Sequence, residues 1–242
     1  MKTTLKSLLI LTAVYALLPI SAFAEGKSIY GADDRLDYYA ASAEMKNLAN
    51  SVVSLWEASS MRPASGGYTL ATENFGQKLG LCPGEKFAEQ PMGAFCSGSL
   101  VGEDMVMTAG HCITDEAKCL DTKMVFGFAV KTAGGSAPAT IPSADVYSCK
   151  KIVKRFLGGE PSAGTTSGLG PDYALVQLDR KVTGRKPLPV NRKQSLKNGT
   201  KLVVIGHPVG IPLKVAAGSS VRDAAPSGYF VADLDTFGGN SG

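Results

Sequence analysis

The chain has 242 residues and a formal charge of +4 at pH 7, too weak a basic balance to imply a nucleic-acid partner. Its 28 glycines and 13 prolines favour many turns over long helices and make an all-β fold the expectation. That length allows one large core or two small ones.

The first residues run Met1-Lys-Thr-Thr-Leu-Lys6, then an apolar stretch from Leu8 to Ile20, then Ser21-Ala-Phe-Ala24. A positive start, an apolar centre and an Ala-x-Ala end are the parts of a secretory signal peptide, read here at residues 1–24. The apolar stretch is shorter than a bilayer-spanning helix requires, so a membrane anchor is the weaker reading. Removing the segment takes away Lys2 and Lys6 and no acid, which lowers the formal charge from +4 to +2. A secreted or periplasmic protein without a membrane partner follows. In that compartment five cysteines imply disulfides, and an odd count leaves one thiol over.

From Glu25 to about Gln90 the pattern is mixed. Met45, Leu48, Val52 and Leu55 are spaced as on a helix, while Ser51-Val-Val-Ser-Leu-Trp56 suits a short strand equally well. Residues 57–90 are rich in turn formers and carry Cys82, as a disulfide-tied surface insertion would. Beyond Pro91 come short strand-like runs at 95–101, 105–108, 124–130, 145–153, 173–178, 201–205, 213–217 and 229–234. The stretch from Arg180 to Lys201 has eight basic residues interleaved with Pro187, Pro189 and Gly184, and no aromatic. It reads as a solvated linker rather than a nucleic-acid patch.

Cleaving a peptide bond without a metal needs a nucleophile, a base, an acid that orients the base, and donors for the oxyanion. Only two histidines are present. His111 follows a strand-like run in Thr108-Ala-Gly-His-Cys112, whereas His207, between Gly206 and Pro208, reads as structural. Asp172 opens the apolar run Asp-Tyr-Ala-Leu-Val-Gln-Leu178, at the lip of a strand. Ser241 lies in Asp235-Thr-Phe-Gly-Gly-Asn-Ser-Gly242, where three glycines around one serine permit converging amides. Each motif alone is common in ordinary turns. Nothing in the chain has the spacing of a metal site, and no cofactor is implied.

Taken together and in this order, Thr-Ala-Gly-His-Cys, Asp-Tyr-Ala-Leu-Val and Gly-Gly-Asn-Ser-Gly resemble the chymotrypsin-like (trypsin-like) serine peptidases. The resemblance implies a double Greek-key β-barrel and an acyl-enzyme mechanism on a polypeptide substrate by a monomer. In it Ser241 is nucleophile, His111 general base and then acid, Asp172 the orienting acid, and the Gly239 and Ser241 amides the oxyanion hole. It also implies a Cys96–Cys112 disulfide beside the histidine, and leaves Cys82, Cys119 and Cys149 without assigned partners. The implied layout is an N-terminal segment with a short propeptide, first strand and insertion at 25–90, and a first barrel at 91–180. An inter-barrel linker at 181–199 and a partial second barrel at 200–242 complete it.

Two departures qualify the resemblance. Asn240 precedes the nucleophile where animal trypsins carry an aspartate, and together with Tyr30-Gly-Ala-Asp-Asp-Arg35 it resembles the bacterial glutamyl-endopeptidase-like branch. Asp235 falls where trypsin places the carboxylate that selects basic side chains, yet glutamyl-specific relatives also carry Asp-Thr there. The second barrel is expected to be incomplete at Gly242, as in a fragment of a longer reading frame. Outside this class, a non-catalytic binding protein on the same fold or a secreted β-rich adhesin is the competing reading.

Overall fold

A computed structural model describes residues 27–158, 170–192, 195–226 and 229–242. The signal peptide read at 1–24 and most of the glycine-rich segment 158–170 lie outside the described residues. The short strand β1 (Lys27–Ser28) and β2 (Arg35–Asp37) come first, followed by helix α1 (Ala43–Ala49) and β3 (Val52–Glu57). The helix–strand ambiguity around residue 50 resolves into both elements in succession. Ser42 caps α1 by accepting the Met45 amide at 3.2 Å, and the chain then extends into β3, whose first five residues are all buried.

The elements that follow are β4 (Met61–Ala64), β5 (Gly67–Leu70), β6 (Glu73–Asn74), α2 (Phe75–Leu79), β7 (Pro91–Met92), β8 (Cys96–Gly102) and β9 (Met105–Thr108). After them come α3 (Glu116–Leu120), β10 (Thr122–Phe126), β11 (Thr140–Pro142), β12 (Val146–Leu157) and β13 (Asp172–Leu178). Six of these strands close into a barrel in the order β10-β12-β13-β9-β8-β3, antiparallel throughout. Closure leaves this sheet no unpaired edge. The barrel draws its strand β3 from the N-terminal segment, ahead of the boundary expected at residue 91.

Alternation along the strands fills the barrel: in β13, Ala174, Val176 and Leu178 are buried while their neighbours are not. They pack with Val53, Leu55, Leu100, Met124 and Phe126. Each such side chain, moved fully out of water, contributes about 1.5–3 kcal/mol. Trp56, pointing the other way from β3, packs edge-on against Phe128 at 5.2 Å and donates its indole N–H to Ser54 Oγ at 2.9 Å.

The chain then crosses to β14 (Lys201–Gly206), β15 (Lys214–Asp223), β16 (Val231–Ala232) and β17 (Thr236–Phe237). Strands β14, β15 and β16 form a second sheet, and β2 adds to β15 from the far end of the sequence. Likewise β1 pairs with β17. The crossing segment is more than a solvated linker. The Arg180 guanidinium lies 4.0 Å over the Tyr147 ring and Arg185 lies 4.4 Å over Phe126, while Leu188 donates to the Leu100 carbonyl at 2.8 Å. These arginines use planar guanidinium groups to seal the barrel's flank, which their charge in the sequence conceals. Among the described residues no helix is long and apolar enough to cross a membrane.

Candidate active site

His111 and Asp172 arrive from different strands and meet at one end of the barrel. Asp172 is the first residue of β13, which pairs with β9 through Ala174 opposite Thr108. The chain leaves β9 at Thr108 and turns, so His111 lies over the start of β13. His111 Nδ1 stands 2.5 Å from Asp172 Oδ2, and the His111 amide donates to Asp172 Oδ1 at 3.1 Å. One carboxylate therefore holds the ring and its backbone at once. With Nδ1–H directed at the carboxylate, Nε2 is the nitrogen able to accept a proton. The imidazole is 35% exposed and the carboxylate 18%, so the pair is screened on one side and open on the other.

The turn between them is tight. A Cβ on Gly110 would lie 2.4 Å from the Phe156 carbonyl oxygen and 2.9 Å from Asp172 Oδ1, so a side chain there would push the histidine loop off the aspartate. Arg155 Nε donates to the Gly110 carbonyl at 2.7 Å. Beside the ring, Cys96 and Cys112 form a disulfide that ties β8 to the histidine loop.

Ser241 stands at the end of the loop that follows β17, the strand paired with β1. Its carbonyl accepts the Ser97 amide at 2.8 Å, and Thr108 Oγ1 donates to the Ser97 carbonyl at 2.7 Å. The Ser241 backbone is thus tied to β8 and, through it, to the strand that leads into His111. Gly239 has φ +89°, in the left-handed region, and an added Cβ would sit 2.9 Å from the Val209 amide nitrogen. The Gly238 carbonyl accepts Val209 N–H at 2.5 Å and the Phe237 carbonyl accepts Asn240 N–H at 3.2 Å. Among the described residues, the Gly239 and Ser241 amides reach no protein acceptor. No hydrogen bond joins Ser241 Oγ to the His111 ring. Such bonds are commonly loose until substrate is bound.

A family model described as the trypsin-like peptidase domain matches residues 96–242. The chain belongs to this family. The match takes in His111, Asp172 and Ser241, while β1 to β7 precede it. No curated protein sequence matches the chain. Among solved structures, the VesB protease of Vibrio cholerae is 17% identical, with a TM-score of 0.45 over 79% of this chain and 45% of that one. A Glu endopeptidase is 18% identical at a TM-score of 0.44, over 88% of this chain and 80% of the other. The secreted serine protease VesC of Vibrio cholerae is 16% identical at a TM-score of 0.40, over 71% and 28%. The chain therefore spans less than half the length of the two Vibrio proteases.

Within this trypsin-like chain the other sequence candidates take different places. Asp235 is 4% exposed, and its two oxygens accept the Tyr30 amide at 2.8 Å and the Asp34 amide at 3.1 Å. A carboxylate engaged in this way anchors the N-terminal segment. Counting back from the serine could not reveal this, because the partners lie about 200 residues upstream. His207 is 1% exposed and donates its Nδ1–H to the Ile211 carbonyl, 3.1 Å away. Burial lowers its pKa to about 3, so the ring is neutral and its role structural. Cys119 and Cys149 form a second disulfide between α3 and β12, and Cys82 is the exposed free cysteine. Cys96, His111 and Cys112 bring ligand-type atoms within 4.8 Å of one another, but both sulfurs are spent in their mutual bond and offer no thiolate.

One contributor left no signal in the serine motifs. Arg35 is 1% exposed, with its guanidinium 4.3 Å over the Phe237 ring and bonded to Asp33 at 2.6 Å and 2.9 Å. Phe237 opens the Ser241 loop, so a residue from β2 braces it. The Asp-Asp-Arg run near the start of the chain was the only hint.

Proposed function

We propose that this chain is an exported serine endopeptidase acting through His111, Asp172 and Ser241. The observation that carries the proposal is the two-point grip of Asp172 on His111, through Nδ1 at 2.5 Å and the amide at 3.1 Å. A surface aspartate that merely capped a strand would not also hold an imidazole ring in one tautomer. Nε2 takes the Ser241 Oγ proton as the oxygen adds to the scissile carbonyl carbon. Asp172 stabilises the imidazolium that results, and the Gly239 and Ser241 amides receive the oxyanion. Collapse breaks the C–N bond, and the proton on Nε2 passes to the departing amine. Water then repeats the sequence on the acyl-enzyme and restores Ser241.

Export is supported by the leader at residues 1–24 and by two disulfides, which persist in oxidising compartments. The layout proposed is that read from the sequence, with β3 joined to the first barrel, a strapped crossing segment at 181–199, and the nucleophile in 200–242. The substrate is a polypeptide, and the chemistry needs no cofactor.

The test uses the mature full-length protein and a fluorophosphonate probe, which phosphonylates only an activated serine. Wild type becomes labelled, Ser241→Ala does not, and Asp172→Asn labels on the order of 10⁴-fold more slowly. A wild type that never labels makes the chain a non-catalytic member of its family.

A further inference from the structure

The reaction scheme makes no use of the Ser97 side chain, yet its hydroxyl occupies a singular place. Ser97 is the second residue of β8 and 1% exposed. A hydroxyl buried so completely must be hydrogen-bonded or it costs stability. Here Oγ donates to the Gly239 carbonyl at 2.9 Å and accepts the His207 amide at 2.9 Å. The Ser97 amide meanwhile donates to the Ser241 carbonyl at 2.8 Å, and the Ser97 carbonyl accepts Thr108 Oγ1 at 2.7 Å. One residue thus ties together both strands of the histidine hairpin, the end of β14 and the nucleophile loop.

The two carbonyls that bracket the nucleophile, those of Gly239 and Ser241, both point at Ser97. One is held by its hydroxyl and the other by its amide. The Gly239 N–H belongs to the peptide before Gly239–Asn240 and the Ser241 N–H to the peptide after it, so this planar unit is the spacer that sets how those two amides are directed. The Gly239–Asn240 peptide is held twice, by Ser97 Oγ at the oxygen and by the Phe237 carbonyl at the Asn240 N–H, 3.2 Å away. Gly239, at φ +89° with no side chain, offers little resistance of its own to a peptide rotation. The restraint must come from its partners. His207 makes the hydroxyl's direction definite: its amide occupies the acceptor side of Oγ, so the Ser97 proton goes to Gly239. His207 is itself fixed by Ile211 and by stacking on Phe128 at 6.0 Å.

We infer that Ser97 is a positioning residue whose buried hydroxyl holds the Gly239–Asn240 peptide so that the Gly239 and Ser241 amides converge on one oxyanion. This rests on the serine peptidase reading. Removing the hydroxyl leaves substrate contacts alone and loosens donors that act in the transition state. The loss therefore falls on kcat rather than KM.

The experiment compares wild type, Ser97→Ala and Ser97→Thr in the full-length protein, with turnover expressed per active site titrated by a fluorophosphonate. Ser97→Ala should lose about 10- to 100-fold in kcat, less than the loss of a whole oxyanion donor, with KM within about twofold. An unchanged kcat per titrated site, or a rise in KM that accounts for the loss, overturns the inference. If Ser97→Ala does not fold, Ser97→Thr decides, since it keeps the hydroxyl: turnover near wild type supports the inference and absence of turnover overturns it. Amide exchange provides a readout independent of activity. Faster exchange confined to residues 236–242 in Ser97→Ala, with β9 and β13 unchanged, is the expected result, and unchanged exchange in that loop overturns it. An unlabelled wild type would sink the peptidase reading while leaving this exchange comparison to judge Ser97.

Discussion

The half of the molecule that carries His111 and Asp172 and the half that carries Ser241 are built on different principles. His111 and Asp172 stand on a closed six-strand barrel, with one disulfide at the histidine loop and another joining α3 to β12. Their geometry is set by neighbouring strands. The Ser241 loop follows a small sheet and is secured from outside itself: β1 pairs with β17, Arg35 braces Phe237, Asp235 binds the Tyr30 and Asp34 amides, and Ser97 reaches across from the barrel. Long-range hydrogen bonds at the loop do what local strand pairing does at the barrel. The Ser241 half should therefore respond to changes at distant positions, and the barrel half to changes within it.

The largest expected effect tests whether the join between the halves is a dry, neutral one. His207 lies at that join, and burial, with a smaller contribution from Lys214, lowers its pKa from 6.5 to about 3. The unfolded chain thus binds a proton near pH 6.5 that the folded chain refuses until about pH 3. Stability is fully present above pH 6.5 and is lost as pH falls through that window, by about 2 kcal/mol at pH 5 and on the order of 4 kcal/mol at the bottom. His207→Asn keeps a donor for the Ile211 carbonyl and does not titrate. Its unfolding free energy, measured by denaturant between pH 7 and pH 4.5, should decline less steeply than that of wild type. Parallel declines would mean that the ring is hydrated.

A smaller effect should distinguish the barrel half. The Cys119–Cys149 bond closes a loop of sequence separation 30, and its removal by Cys119→Ser with Cys149→Ser should cost about 3 kcal/mol through the greater freedom of the unfolded chain. Because this bond is remote from the Ser241 loop, fluorophosphonate labelling at a temperature where both proteins are folded should stay within about twofold. A large loss of labelling without a loss of stability would break the division between the halves.

That division also explains what could be read from the sequence. His111, Asp172 and Ser241 stand out because each sits in a short motif whose neighbours are adjacent in the chain. The strands of the barrel were legible for the same reason, since alternation is local. What escaped was whatever closes over long distances. The partners of Cys119 and Asp235 are chosen by how the strands assemble, and spacing along the chain carries no record of that. The helix at 43–49 and the strand at 52–57 blurred together because apolar residues on both happened to fall at helical intervals, and the break between them falls at Asn50 and Ser51, whose amides close on the Lys46 and Leu48 carbonyls. Arg180 and Arg185 looked solvated because a sequence reports charge and not the aromatic ring beneath it.

The smallest expected effect is the most direct on the N-terminal clasp. Asp34 lies against Asp235, and its Oδ1 is buried without a hydrogen-bond partner. Burial, reinforced by the charges of Asp235 and Asp33, raises its pKa above 3.8. A carboxyl raised in this way binds its proton more tightly folded than unfolded, so the stability it contributes is fully present below its unfolded pKa and is lost as pH rises through the folded value. At neutral pH the two carboxylates therefore oppose the clasp they help to form, and the amide bonds to Asp235 prevail over that repulsion. Asp34→Asn retains the main-chain donor and places a neutral amide against Asp235, relieving the repulsion without opening the clasp. The variant should melt slightly above wild type at pH 7, and the difference should shrink as pH is lowered and wild-type Asp34 gains its own proton. A variant that melts below wild type at pH 7, or a gap that ignores pH, would mean that the charge of Asp34 serves the clasp instead of straining it.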